Sequence, residues 1–379
     1  MTTTNLEREL NTTKWQLEIL YEISNALRTT LQLDEILYII LTAVTAHAGL
    51  GFNRAMVFLV SGASNQLEGT MGIGPGSGEE ARAIWRALDP TRTTLDDLIA
   101  AYRSLLTAPL SQFDQQVRAI KIPLQEQAGV IALTALEGMP FEILTDEARR
   151  TLQDPLLAQL RLDQFVSVPL KARDRVVGVL VADNRFTGKP ITKDEVRLLT
   201  MCANQVGLAI ENSRLYEQTL LMAKSDSLTH LWNHGTFQQM LADEVERAGR
   251  YNKEVSLAFL DLDNFKAYND AFGHQAGDRL LVLVANVMEE VARRIDQVAR
   301  YGGEEFAIIF PETPKSEAFQ ACERIRARLA QAAAGPLTIS IGLASYPRDA
   351  TTKDKLIYAA DMTLLQAKRS GKNQTRLAE

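Results

Sequence analysis

One run of helical spacing constrains this chain more than any other feature. Between Lys193 and Lys224, the residues Leu199, Cys202, Val206, Ala209, Ser213, Tyr216, Leu220 and Ala223 recur three and four apart, nearly all apolar or small. A seam kept up over that length predicts a parallel two-stranded coiled coil that joins two domains. Its first half can also cover the sheet of the domain before it, and the two uses are compatible. Cys202 lies on this seam, as a packing residue rather than a redox one.

The chain has 379 residues, enough for about two or three domains. The reading is α+β throughout: an N-terminal amphipathic helix at 1–30, a mixed domain at 31–212, the linker helix at 197–224 overlapping its end, and a second domain at 225–379. In the first helix Leu6, Leu10, Thr13, Leu17, Leu20, Ser24 and Leu27 form a weaker seam, which fits either a coiled coil or a helix packed on its own domain. Arg54–Val60 reads as a strand, and residues 79–120 as helical. The runs 165–170 and 176–182 are apolar strands around a polar turn, hence a hairpin.

Formal net charge is −6, and residues 225–379 carry 19 basic against 21 acidic side chains. No basic excess points to nucleic acid. Cys202 and Cys322 are the only cysteines, and the four histidines are scattered, so neither a disulfide framework nor a zinc ribbon is available. The longest uncharged run, Ile36–Asn53, holds Thr42, Thr45, His47 and Asn53, which suits a buried helix better than a membrane span. With a polar N-terminus that lacks a signal peptide, the expectation is a cytoplasmic protein with no membrane and no nucleic-acid partner.

The chemistry concentrates after Lys224. Val255–Asp263 is an apolar strand ending in Asp261 and Asp263, which share a face at strand spacing, with the Leu262 carbonyl between them. Carboxylate and carbonyl oxygens are hard ligands suited to Mg²⁺ and phosphate. Further on, two apolar strands flank Gly302-Gly303, a hairpin turn that places Glu304 and Glu305 side by side. Two adjacent acids repel unless a divalent cation neutralises them. Asp261 and Glu304 together could hold two metals on a triphosphate.

These motifs resemble two families. The stretch 31–212 resembles a GAF domain, a small-molecule-sensing fold with an antiparallel sheet flanked by helices; its carriers are Leu17–Leu27, Gly178–Asn184 and Ile191–Leu199. Residues 79–150 fit it poorly and read as an insertion. The run Gly302-Gly-Glu-Glu-Phe306 resembles the signature of GGDEF domains, and the resemblance extends over Ser225–Asn373. Asp226–Asn233 matches the opening motif, Asp261–Asp278 the substrate stretch, Thr338–Gly342 a core strand, and Ala360–Asn373 the last helix.

The resemblance implies a ferredoxin-like or palm-like domain that condenses two GTP into cyclic di-GMP and two pyrophosphates. It implies two Mg²⁺ (or Mn²⁺) ions held by Asp261, the Leu262 carbonyl and Glu304. Asn269 and Asp278 would read guanine. The amides of Asn264 and Phe265, with Lys266, Gly302, Gly303, Lys368 and Lys372, would face the phosphates. Glu304 or Glu305, with Lys368, would serve catalysis. Arg293-x-x-Asp296 stands where the family binds its product as an inhibitor, with Arg324 expected from a second protomer; the plain alternative is a salt bridge on a helix surface. His234-Gly235 and Lys372 depart from the arginines usual in the family, and Leu365 from a Tyr. The expected assembly is a homodimer through the linker helix, with a GAF ligand that the sequence does not identify. A catalytically inactive cyclic di-GMP receptor, or a cyclase joining guanine to adenine, are the alternatives, and the retained acids and Asp278 speak against both.

Overall fold

The computed structural model describes residues 3–46, 49–62, 64–87, 110–143, 159–332 and 337–379. The chain divides into two compact units, Met1–Glu217 and Gln218–Glu379. Among the described residues no helix is long and apolar enough to cross a membrane.

The first unit runs α1 (Thr3–Leu27), α2 (Leu33–Thr45), β1 (Arg54–Ser61), β2 (Gln66–Ile73), α3 (Gly78–Ala87), α4 (Gln112–Arg118), β3 (Lys121–Pro123), α5 (Val130–Glu137), β4 (Phe141–Ile143), β5 (Phe165–Ala172), β6 (Arg175–Asp183) and the start of α6 (Lys193–Lys224). Its six strands pair antiparallel in the order β3-β2-β1-β6-β5-β4. The central strands β1, β5 and β6 are largely apolar because both faces are covered. Ala55, Val57 and Leu59 of β1 share one core with Ile36 and Ile40 of α2 and with Cys202 and Val206 of α6. Met56 and Phe58 share the other with Phe113, Val117 and Ile131. At the end of β1 the buried Arg54 meets Asp183 at 2.7 Å and donates to the Leu160 carbonyl, so neither charge is left unpaired.

One expectation changes here. Residues 112–143 are part of the domain and not an insertion: β3 and β4 form the two edges of the sheet, and α4 and α5 cover one face. Strands of three residues are too short to reveal a period of two. The remainder of that stretch, 88–109 and 144–150, lies outside the described residues. On α6 the later seam residues Tyr216, Leu220 and Ala223 are exposed. Leu199, Cys202, Val206 and Ser213 are buried within the first unit, where burial pushes the Cys202 thiol up to about 12. Met201, Leu208, Leu215 and Met222, spaced by sevens, are exposed on α6 as well. On α1 the buried positions are Ile19, Ile23, Ala26 and Leu27, whereas Leu10 and Leu17 are exposed.

The second unit continues with α7 (His234–Tyr251), β7 (Val255–Asp263), α8 (Phe265–Phe272), α9 (His274–Val291), β8 (Gln297–Arg300), β9 (Glu305–Pro311), α10 (Lys315–Ala332), β10 (Thr338–Tyr346), α11 (Lys353–Arg369) and β11 (Thr375–Leu377). The sheet order is β11-β10-β7-β9-β8, with β10 and β11 parallel and the other pairs antiparallel. Alternation along β7 decides what each face carries. Ala258, Leu260 and Leu262 point to the core under α9 and α10, while Leu257 and Phe259 point to the core under α7 and α11. Asp261 and Asp263 continue this second set.

Helix α11 lies close against β10. A Cβ on Gly342 would stand 2.1 Å from the Leu364 backbone nitrogen and 2.3 Å from the Ala360 carbonyl oxygen. Gly342→Ala should therefore lower stability by about 1–3 kcal/mol, the usual cost of forcing an extra methyl into a packed contact. Chemical denaturation measures this, and an unchanged midpoint would mean the helix has room to spare.

Candidate active site

The sheet brings three charged side chains together at the end of β7. Asp261 is buried and meets the Lys368 Nζ of α11 at 2.6 Å. In the neighbouring turn, the Glu304 carbonyl accepts from the Leu262 backbone N–H at 3.3 Å, fastening that residue to the strand end. Burial pushes the Asp261 carboxyl above its ordinary value, and Asp263 adds to this while Lys368 opposes it. Glu304 is likewise pushed up, first by burial and then by the negative charges of Asp261 and Glu305. Acids raised by burial and by neighbouring negative charge make a donor set short of positive charge.

Among the described residues no group of three or more acids, histidines or cysteines forms a ready cluster for a metal. Two carboxylates and one carbonyl are nevertheless hard oxygen donors that fit Mg²⁺, which keeps waters and takes substrate oxygens as ligands. Glu305 folds back over the turn: a Cβ on Gly302 would meet its Oε2 at 2.6 Å, and the Glu305 carbonyl accepts from the amides of Tyr301 and Gly302. Gly303 is exposed and faces open space. Tyr301 anchors the turn from below, with its ring 4.6 Å from Phe259 and 4.5 Å from His234. The departure at 234 thus serves an aromatic cluster.

A second hold on the turn was not legible beforehand. Arg300 donates to the Gly303 carbonyl at 2.7 Å and pairs with Asp226 at 3.0 Å. The same Asp226 oxygen accepts from the Thr229 amide and hydroxyl. The Asp-x-x-Thr spacing was the available signal, since an acid three residues before a Thr can accept from its amide.

Asn269 and Asp278 sit together through Gly277. A Cβ there would fall 1.8 Å from the Asn269 Oδ1, so the amide lies directly on the glycine, and that buried oxygen has no partner among the described residues. Asp278 follows on the exposed side of α9. Asn264, with φ of 61°, ends β7 and caps α8, leaving the amides of Phe265 and Lys266 in the first turn where a helix does not satisfy them. Lys372 reaches the same point and donates to the Asn264 Oδ1 at 2.6 Å.

Arg293 and Asp296 occupy a turn after α9, not a helix surface. Asp296 accepts from the Arg293 backbone N–H at 2.7 Å, and the Arg293 guanidinium pairs instead with Glu317 at 3.4 Å. The salt-bridge alternative between the two is therefore not what forms. Burial pushes the Asp296 carboxyl up, while the charges of Arg293 and of Arg324 from the same chain oppose this; its Oδ1 is buried without a partner among the described residues. A cleft of about 480 Å³ opens here, lined by Arg293, Arg294, Asp296, His230 and Trp232 among others.

Two family profiles match the chain. One, described as diguanylate cyclase, GGDEF domain, covers residues 223–374, and the other, the GAF domain, covers 17–210. The chain carries a GAF domain over more than half its length, followed by a GGDEF domain. Among curated relatives, diguanylate cyclase A of Treponema denticola is 32% identical over 222 residues, 56% of this chain and 59% of that protein. Diguanylate cyclase TpbB of Pseudomonas aeruginosa is 36% identical over 182 residues, 46% and 41% of the two chains. The response regulator PleD of Caulobacter vibrioides is 33% identical over 248, 62% and 53%. The chain thus spans about half the length of these relatives. A solved coiled coil and GGDEF domain of DgcB from Caulobacter crescentus, in complex with c-di-GMP, is 31% identical, with a TM-score of 0.44 over 49% of this chain and all of that one.

Asp226 gives the GGDEF domain a measurable pH signature. Burial pushes its carboxyl up, but the Thr229 hydroxyl and amide and the Arg300 guanidinium outweigh this and hold it below its ordinary value. A depressed acid stabilises the fold above its unfolded pKa, and the contribution is lost as pH falls through the folded pKa. Asp226→Asn should be less stable than the wild type at neutral pH, and the gap should close below the carboxylate range. A gap that persists at acid pH would mean the charge is not the cause.

Proposed function

We propose that this protein condenses two GTP into cyclic di-GMP with release of two pyrophosphates. The observation that carries this reading is the pair Asp261 and Glu304 beside Lys368, two acids raised by burial, with the charge of Asp261 adding to the rise at Glu304. Asp261, Glu304 and the Leu262 carbonyl would hold Mg²⁺ or Mn²⁺, two per site, which supplies the positive charge that a triphosphate needs for attack at its α-phosphorus. Lys368 balances Asp261 and, with Lys372, Lys266 and the first amides of α8, orients the phosphates. Asn269 and Asp278 hold guanine, Asp278 by accepting from the ring N–H and the amino group.

In each half-reaction a ribose 3′-oxygen bonds to the α-phosphorus of the other GTP, and the bond to the β-phosphate oxygen breaks. Pyrophosphate leaves, and the hydroxyl proton passes to Glu304 or Glu305. Both half-reactions need two domains face to face, hence a homodimer. The exposed later seam residues Tyr216, Leu220 and Ala223, with Met201, Leu208, Leu215 and Met222 exposed beside them, support pairing along that helix. Through it the GAF domain would regulate by aligning or separating the two sites.

Glu304→Ala should abolish product formation in a chromatographic assay with GTP and Mg²⁺, with little change in melting temperature, since Glu304 sits half-buried on a turn. Undiminished activity would remove the metal assignment.

Arg293, Asp296 and Arg324 line or charge the cleft after α9, where product would bind and inhibit, Arg293 by a charge-assisted grip on phosphate. Arg293→Ala should relieve that inhibition while leaving the Michaelis constant for GTP unchanged. Equal inhibition constants in variant and wild type would refute the site.

A further inference from the structure

The second carboxylate of the Asp261–Asp263 pair has a different use from the first. Asp263 is buried, 5% exposed, and both its oxygens are engaged. Its Oδ1 accepts from the Ser340 hydroxyl at 2.7 Å, and its Oδ2 accepts from the Thr338 hydroxyl at 2.7 Å and from the Asn373 backbone N–H at 3.0 Å. The two hydroxyls come from β10, where Thr338 lies directly opposite Asp263 in the sheet. A carboxylate so occupied has little left to offer a metal. Its third bond reaches across to the chain that follows α11.

That chain is in a costly conformation. Lys372 and Asn373 both have positive φ, 63° and 47°, with no glycine at either position. Consecutive left-handed residues bearing side chains persist only where the surroundings hold them. Asp263 supplies one hold through the Asn373 amide, and Arg326 of α10 supplies another by donating to the Asn373 Oδ1 at 3.0 Å. The result is that the Lys372 ammonium lands 2.6 Å from the Asn264 Oδ1, at the opening of α8.

We propose that Asp263 is a positioning residue for Lys372: by pinning the Lys372–Asn373 turn it sets the ammonium at the phosphate side of the site. This rests on the reading of the domain as one that binds GTP. Lysine offers a flexible stem with no planar fork, so its placement depends on the backbone that carries it.

The test is a double-mutant cycle in the full chain, with GTP kinetics, Mg²⁺ activation and amide hydrogen exchange as readouts. Asp263→Asn removes the charge that holds the turn and should raise KM for GTP about tenfold, the scale of one lost charge-assisted bond, with kcat changed far less. Lys372→Ala should raise KM by a similar factor, and adding Asp263→Asn to it should cost nothing more. The Asn373 amide should exchange faster in Asp263→Asn even without nucleotide. If Asp263→Asn does not fold, Thr338→Val carries the same test, since it loosens the oxygen that holds Asn373 and should move KM in the same direction. Multiplying effects in the double variant, unchanged Asn373 exchange, or a shifted Mg²⁺ midpoint with unchanged KM would each overturn the proposal, the last by making Asp263 a metal ligand. In a protein that turned over no GTP, exchange alone would judge the pinning, and the reading of the domain would fall separately.

Discussion

The alternation of side chains along β7 governs the second unit. A central strand covered on both faces must be apolar or have its polar groups satisfied, and from Val255 to Leu260 only Ser256 is polar, its hydroxyl donating to the Thr313 carbonyl. At the strand's last residues the same alternation throws Asp261 and Asp263 to the side of α11. The helix is drawn onto the sheet at Gly342, and one turn past that contact it presents Lys368 to Asp261. Strand parity and one missing methyl thus place an acid against a base that lies more than 100 residues later in the chain.

Much of this was legible in the sequence because the informative signals are local. Gly302-Gly-Glu-Glu, the acids at the end of an apolar run and the last helix each announce themselves within a few residues. What stayed hidden depends on distance. Asp263 finds its partners at Thr338, Ser340 and Asn373, and nothing near Asp263 marks it as an anchor where Asp261 is not. Arg300 likewise reads as one more strand-end charge until Asp226 is folded beside it.

The helix α6 carries a different lesson. Spacing of three and four identifies a buried stripe but not what buries it. Leu199, Cys202 and Val206 satisfy that pattern by covering their own sheet, and a second stripe, at sevens, remains outside. The later part of the same seam, Tyr216, Leu220 and Ala223, is exposed, so one periodic signal runs from covered to uncovered positions. In the first unit the edge strands were missed for a related reason, since three residues cannot establish any period.

The end of α6 is capped by what comes after it. Asn233 donates to the Ala223 carbonyl through its side chain and to the Lys224 carbonyl through its backbone, and the Thr236 hydroxyl also donates to Lys224. The last turn of the helix is in this sense a piece of the GGDEF domain, completed by residues ten positions downstream. A designer who transplants this domain onto a foreign sensor should keep that turn with it and splice upstream of Ala223. A junction placed after Lys224 would leave Asn233 and Thr236 facing carbonyls set by another protein's helix, with Asp226 and the grip of Arg300 on the Gly303 carbonyl hanging from the seam.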